Sequence, residues 1–134
     1  MIIEKELKKL YHELLKQDVA HISLSGSYVT IRLLDETSKL FLSTSVFHGE
    51  NFIPKSVRKC ISQKFVDPRA RLRTYLTVDE NNFQIVLNYL GSLHSLDNQE
   101  LKDLLEEFSS CADRWRDILD DHGKNDLVYV SVKH

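Results

Sequence analysis

The feature that most constrains the fold is the segment 101–121, LKDLLEEFSSCADRWRDILDD, which is acidic and yet carries apolar residues at helical spacing. That spacing places the apolar side chains on one stripe of a helix. The stripe consists of Leu101, Leu105, Phe108, Ala112, Trp115 and Leu119. Because such a stripe must pack against another layer, the segment predicts a long helix on a sheet. Trp115 lies between Arg114 and Arg116, so we expect its ring to close the edge of the core under the arginine stems.

The boundaries of this helix are marked by residues that favour helix ends. Asp97 can cap the free amides of the first turn, and Glu100 can complete a capping box with it. Gly123 suits the left-handed conformation that ends many helices. The following LVYVSV, 127–132, is rich in β-branched and aromatic residues and predicts a last strand.

The rest of the chain predicts one more long helix, one short helix and two groups of strands. Residues 2–16 form an amphipathic stripe, and 19–47 alternates apolar and polar residues as three antiparallel strands joined by SGS and DETS turns. A short helix follows Pro54, and a hairpin with strands at about 72–78 and 83–90 turns at DENN. The stripe of the first helix consists of Ile3, Leu7, Leu10 and Leu14 with the flanking Tyr11 and Leu15. The order α-β-β-β-α-β-β-α-β predicts an α+β fold, a twisted antiparallel sheet with helices packed on one face.

Composition predicts one ordinary domain spanning 1–134. With 42% hydrophobic and 28% charged residues, the chain has enough apolar material for a core and too little charge imbalance for disorder. The net charge of −2 argues against nucleic-acid binding as the main activity. No apolar run is long enough to span a bilayer and the N-terminus lacks a secretory pattern, so we expect a cytoplasmic protein.

The sequence contains no constellation typical of an enzyme, a metal site or a cofactor site. The six histidines are scattered, no G-x-S-x-G elbow is present, and four glycines supply no phosphate-binding loop. Cys60 and Cys111 are far apart in predicted helices and are interpreted as reduced, packed thiols. We therefore expect no catalytic activity, no metal and no cofactor.

A basic cluster lies between the second helix and the fourth strand. Its members are Lys55, Arg58, Lys59, Lys64, Arg69, Arg71 and Arg73. A solvated surface is the simpler interpretation, and binding of an acidic partner is the alternative. We call Arg69, Arg71 and Arg73 the basic patch, with RNA polymerase or a transcription regulator as its alternative partner.

The stretch LGSLHSLDNQELKDLLEEFSSCADRWRDIL resembles the end of bacterial type III secretion chaperones of the CesT/SycE (class I) type. The family pattern is a strand ending in leucines, a Leu-Asp turn and a helix of the form L-x-x-x-L-x-x-F-x-x-x-A-x-x-W-R-x-x-L. The residues that fill this pattern are Leu101, Leu105, Phe108, Ala112, Trp115, Arg116 and Leu119. The upstream order of elements matches as well, whereas the strand at 127–132 extends beyond the family's last helix. The basic cluster is also unusual for the family and suits a subunit that pairs with a more acidic chaperone.

The resemblance implies a binding protein, associated with virulence, that holds the extended N-terminal segment of a secreted effector or gatekeeper protein in the cytoplasm. Family members dimerise, which implies a homodimer or a heterodimer with a second chaperone. The expected dimer interface comprises Val57, Ile61, Phe65 and Tyr75. The expected client-binding residues are Val29, Ile31, Phe41 and Phe47, because both faces of the first strands are apolar. Each of these positions is equally compatible with a place in the core.

Three hypotheses follow from the sequence. The first is the secretion chaperone just described, which needs no ATP motif because it holds its client without turnover. The second is a regulator that binds the transcription machinery through the basic patch. The third is a small α+β enzyme, for which the nucleophile and base are missing.

Overall fold

The structure is a computed structural model that describes residues 4–24, 26–34, 39–62, 72–92 and 98–132; for residues 98 and 122–132 it describes the backbone only. Within these ranges the elements follow one another as the sequence predicts, up to the third helix. Their bounds in chain order are α1 Glu4–Gln17, β1 Val19–Leu24, β2 Ser27–Leu34, β3 Lys39–His48, α2 Lys55–Ser62, β4 Thr74–Asp79, β5 Gln84–Ser92 and α3 Asn98–Val132.

Helix α1 forms because its apolar residues recur at helical spacing, and it ends at a left-handed residue. Leu7, Leu10 and Leu14 are buried, whereas Leu15 of the predicted stripe is exposed. Asp18 adopts a φ of 62°, a conformation that aspartate tolerates better than most residues, and its N–H donates to the Leu14 carbonyl at 2.9 Å. The chain therefore turns directly from α1 into β1.

The five strands form one antiparallel sheet in the order β1-β2-β3-β5-β4. The predicted β1–β2 and β4–β5 hairpins are confirmed, as is the pairing of β2 with β3, whereas the predicted DETS turn, 35–38, lies outside the described residues. Gly26, with a φ of 84°, lies in the β1–β2 turn, where glycine adopts the left-handed conformation without steric cost. In the β4–β5 turn the Asp79 carboxylate accepts hydrogen bonds from Asn81 and Asn82, which lower the pKa of Asp79. β5 lies between β3 and β4, although β4 precedes it in the chain.

The core lies between one face of the sheet and the helices. Alternate strand residues such as Ile31, Leu42 and Leu87 are buried on this face, against the stripes of α1 and α3. The α3 residues assigned to the core are buried as predicted: Leu101, Leu105, Phe108, Ala112 and Leu119. Trp115 is half-buried and packs at the edge of the cluster. The predicted α+β fold, with helices on one face of an antiparallel sheet, is confirmed.

The end of the chain differs from the prediction. Helix α3 continues through Gly123 to Val132, so 127–132 is helical where the sequence predicts a last strand. Extending an existing helix adds one hydrogen bond per residue, and a single glycine costs only about 1 kcal/mol. The strand preference of β-branched residues depends instead on neighbouring strands, which this segment lacks. The predicted cap, Asp97, lies outside the described residues.

Candidate interaction surface

The sheet has a second face, which the helices do not cover within the described residues. Burial alternates along β2, so every other side chain points away from the core. We call the face that carries Tyr28, Arg32, Phe41, Tyr75 and Leu90 the open face; the register of the strands places these residues on one side of the sheet. It carries aromatic, aliphatic and cationic side chains.

Three large side chains on the open face are about half exposed or more. Tyr28 is 62% exposed, Tyr75 48% and Leu90 47%. Leu90 lies directly opposite Phe41, which is half-buried beside it. Single exposed apolar residues are normal on protein surfaces, but apolar residues that lie side by side on adjacent strands form a patch that favours binding.

The polar groups of the open face are arranged by hydrogen bonds within the sheet. Asn88 is buried between β3 and β4, and its amide donates to the Thr77 hydroxyl at 3.0 Å and to the Val86 carbonyl at 3.2 Å. The His21 ring stacks on Tyr28 with centroids 5.2 Å apart. These contacts stabilise the open face as a preformed surface.

At each lateral edge of the sheet the last strand pairs on one side only, and we call such an edge single-sided. In the strand order, β1 and β4 each have one neighbouring strand. An edge strand presents backbone N–H and C=O groups that can pair with an added strand from another chain. The open face and the two edges together offer both side-chain and main-chain contacts to an extended segment.

The residues predicted for the dimer interface lie in different environments. Val57 has no exposed surface and belongs to the core. Ile61 is half-buried against that core, and Phe65 lies outside the described residues. Tyr75 is exposed on the edge strand β4. Of this set, Tyr75 offers the largest described surface to a second subunit.

The residues predicted for client binding divide between the two faces of the sheet. Val29 and Ile31 are completely buried under the helices and offer no surface to a client. Phe47 follows a register shift in β3 and packs against the core. Phe41 lies on the open face. The sequence analysis missed Tyr28, Arg32 and Leu90 of the same face, although the alternation along each strand already places them opposite the buried residues.

The basic patch is only partly described. Arg69 and Arg71 lie outside the described residues, and Arg73 is exposed immediately before β4. Arg58, from the wider cluster, forms a paired interaction with Glu80: Nη1 donates to Oε1 at 2.7 Å and Nη2 to Oε2 at 3.0 Å. The hydrogen bond to Arg58 holds the pKa of Glu80 below its usual value. This contact joins α2 to the β4–β5 turn.

Glu80→Gln is expected to lower the melting temperature slightly at neutral pH, because it removes the anionic partner of Arg58. The folded-state pKa of Glu80 is lowered, so this stabilisation is present above the ordinary glutamate pKa and is lost as the pH falls through the lowered value. Thermal melts of both proteins between neutral pH and about pH 3 should therefore converge on the acidic side. The control is Glu50→Gln, at an exposed glutamate with no ion pair among the described residues; equal melting of the two variants at neutral pH would contradict the prediction.

No group of three or more His, Cys, Asp or Glu among the described residues is placed to hold a metal ion. Cys60 and Cys111 form no disulfide. Burial raises the pKa of the Cys60 thiol, which makes it a poorer nucleophile. Over the described ranges, no helix has the length and apolar character needed to cross a membrane.

No family model and no curated protein matches the sequence. Among solved structures, the chain is similar to one from the ExsC–ExsE complex, with 17% identity, a TM-score of 0.62, and coverage of 86% of this chain and 93% of that chain. A chain of the heterodimeric ExoU–SpcU complex from the type III secretion system of Pseudomonas aeruginosa is 15% identical, with a TM-score of 0.54 and coverage of 78% and 85%. For the HopA1–SchA chaperone–effector complex the values are 14%, 0.56, 87% and 99%.

These identities are too low to transfer a function, but the overlap covers most of each chain. The chain therefore has a type III secretion chaperone fold, which confirms the resemblance seen in its sequence.

Proposed function

We propose that the protein is a type III secretion chaperone that binds the extended N-terminal segment of a secreted effector or gatekeeper protein in the cytoplasm. The observation that carries the proposal is the open face, with Tyr28, Phe41 and Leu90 beside two single-sided sheet edges. The fold supports it, because similar chains occur in a chaperone–effector complex and in a heterodimer of a type III secretion system.

The physical requirement of such a client explains why a broad surface is needed. A disordered segment loses conformational entropy when it binds, so it must gain contacts over a large area to reach useful affinity. An edge strand supplies main-chain hydrogen bonds, and the open face supplies side-chain contacts. Holding of this kind involves no bond making or breaking, so we propose no catalytic activity.

The proposal is tested by co-expressing the protein with candidate effectors encoded near its gene. We expect one effector to copurify in a defined stoichiometry by light scattering, and to be lost when its N-terminal segment is deleted. Secretion of that effector should also fall when the chaperone gene is removed. An effector that is secreted normally without the chaperone, or that binds through its folded domain alone, would contradict the proposal.

We further propose that the functional unit is a dimer, with an identical subunit or a second chaperone, joined through the β4 edge near α2. Of the predicted interface, Tyr75 on β4 and Ile61 on α2 retain exposed surface, and the Arg58–Glu80 pair holds α2 beside the β4–β5 turn. Pairing of β4 with a partner would satisfy its outer backbone groups and cover the Tyr75 ring.

Tyr75→Asp is expected to weaken dimerisation by about tenfold or more, because a charge at a closed interface costs at least about 1.4 kcal/mol. Light scattering over a dilution series measures the change. Tyr28→Asp is the matched control, since Tyr28 is also exposed on the open face but belongs to β2, away from the β4 edge. A Tyr75→Asp protein that dimerises as well as the Tyr28→Asp protein would place the interface elsewhere.

A further inference from the structure

Four residues form a row that crosses the open face at right angles to the strands. Phe41 of β3 lies opposite Leu90 of β5 on one side and opposite Arg32 of β2 on the other. On the other side of Leu90 lies β4, in which Thr74 pairs with Tyr89 of β5. Arg73 immediately precedes Thr74, as Leu90 immediately follows Tyr89. Arg73 therefore continues the register beside Leu90, and the order from β4 to β2 is Arg73, Leu90, Phe41, Arg32, with Val19 of β1 beyond Arg32. We call this set the cross-sheet row.

The cross-sheet row places an apolar pair between two exposed guanidinium groups. Arg32 and Arg73 are both exposed, and neither forms an ion pair with a carboxylate among the described residues. Leu90 is 47% exposed, so its side chain also remains accessible. The row thus offers one apolar contact flanked by two cationic ones.

The rows on either side contain no acidic residue among the described positions. One consists of Tyr75, Asn88, Ser43, Thr30 and His21, and the other of Ser92, Lys39 and Leu34. The whole chain, in contrast, has 20 acidic and 18 basic residues and a net charge of −2. The centre of the open face therefore has the opposite sign to the protein as a whole, which favours an acidic partner.

The spacing of the row matches an extended peptide. Neighbouring strands lie about 4.8 Å apart, so the Cα atoms of Arg73 and Arg32, three strands apart, are separated by about 14 Å. In an extended segment, residues four positions apart span about 13 Å, and the residue between them points to the same side. Acidic side chains at the two ends would meet the arginines while a central apolar side chain contacts Leu90 and Phe41.

We propose that the cross-sheet row binds an extended client segment of the pattern acidic-x-apolar-x-acidic, lying across the strands. This inference deepens the proposed function, on which it rests for the identity of the client, by naming the chemistry of the bound segment. The carboxylates pair with Arg32 and Arg73, and the apolar residue covers Leu90. The flanking charges select the segment, and the apolar contact adds affinity that is less sensitive to salt.

The test uses a fluorescein-labelled peptide with Asp-Ser-Leu-Ser-Asp at its centre, titrated with the full-length protein and followed by fluorescence anisotropy. We expect saturable binding that weakens as salt is raised, and at least tenfold weaker binding by the double variant Arg32→Glu, Arg73→Glu. A peptide with Lys-Ser-Leu-Ser-Lys at its centre should bind the double variant more tightly than it binds the wild-type protein. The matched control is Lys8→Glu with Lys55→Glu, which makes the same charge change on exposed residues of α1 and α2.

Circular dichroism checks that each variant is folded, and Arg32→Gln with Arg73→Gln replaces the glutamate pair if that pair is not. Absence of binding by the wild-type protein, or equal binding by the row variant and the control, would overturn the inference. Effector copurification is scored separately. If the wild-type protein captures an effector but does not bind the peptide, the proposed function stands and the inference is wrong. If the protein binds the peptide but captures no effector, the site is supported and the chaperone proposal is wrong.

Discussion

Ile31→Asp is expected to unfold the protein. Ile31 has no exposed surface and lies on β2 beneath the helices, between Ala20 of β1 and Leu42 of β3. A carboxylate at this position would lose its hydration without gaining a partner, which costs several kcal/mol, about 4 or more. A domain of this size has only about 5–15 kcal/mol of stability in total, so little or none would remain. Circular dichroism and a urea titration measure the loss.

The neighbouring residue supplies the control for this prediction. Arg32 follows Ile31 on the same strand but points to the open face, where it is exposed. Arg32→Asp makes a charged substitution one residue away and is expected to change the free energy of unfolding by about 0.5 kcal/mol or less. A folded Ile31→Asp protein, or an Arg32→Asp protein that is equally unstable, would show that the two faces are assigned the wrong way round.

Phe108→Ala is expected to destabilise the protein by about 3–5 kcal/mol. Phe108 lies in the middle of α3 with no exposed surface, so its removal leaves a cavity between the helix and the sheet. The sequence pattern predicts that Phe108 is in the core, and the structure buries it there. The substitution therefore tests directly how α3 packs on the sheet. The change is measured as a shift of the urea midpoint at one fixed protein concentration, because dimerisation would add a concentration-dependent term.

Leu15→Ala is the control for Phe108→Ala. The sequence assigns Leu15 to the apolar stripe of α1, but its side chain is 74% exposed. The substitution therefore removes little buried area and should change stability by about 0.5 kcal/mol or less. A large loss at Leu15 would mean that this surface is covered by a partner, and a small loss at Phe108 would contradict the docking of α3.

The open face shows which part of the candidate site the residue pattern alone could predict. Alternation along β2 distinguishes the two sets of side chains, Val29 and Ile31 on one side and Tyr28 and Arg32 on the other, but both sets contain apolar residues. The sequence prediction selected Val29 and Ile31 for a client, and the helices cover them. Which set is covered depends on where α1 and α3 dock, and docking is decided by contacts between residues far apart in the chain.

Local residue patterns were sufficient to predict most of the helices, strands and turns. The 3.6-residue spacing predicted α1 and α3, the two-residue alternation predicted the strands, and glycine and Asx-rich turns predicted both hairpins, because each signal acts through neighbouring residues. The tertiary structure alone decided the place of β5 between β3 and β4, the covered face, and the alignment of Arg73 with Arg32 across the sheet. It also decided the helical state of 127–132, since β-branched residues adopt a strand only where another strand is available to pair with them.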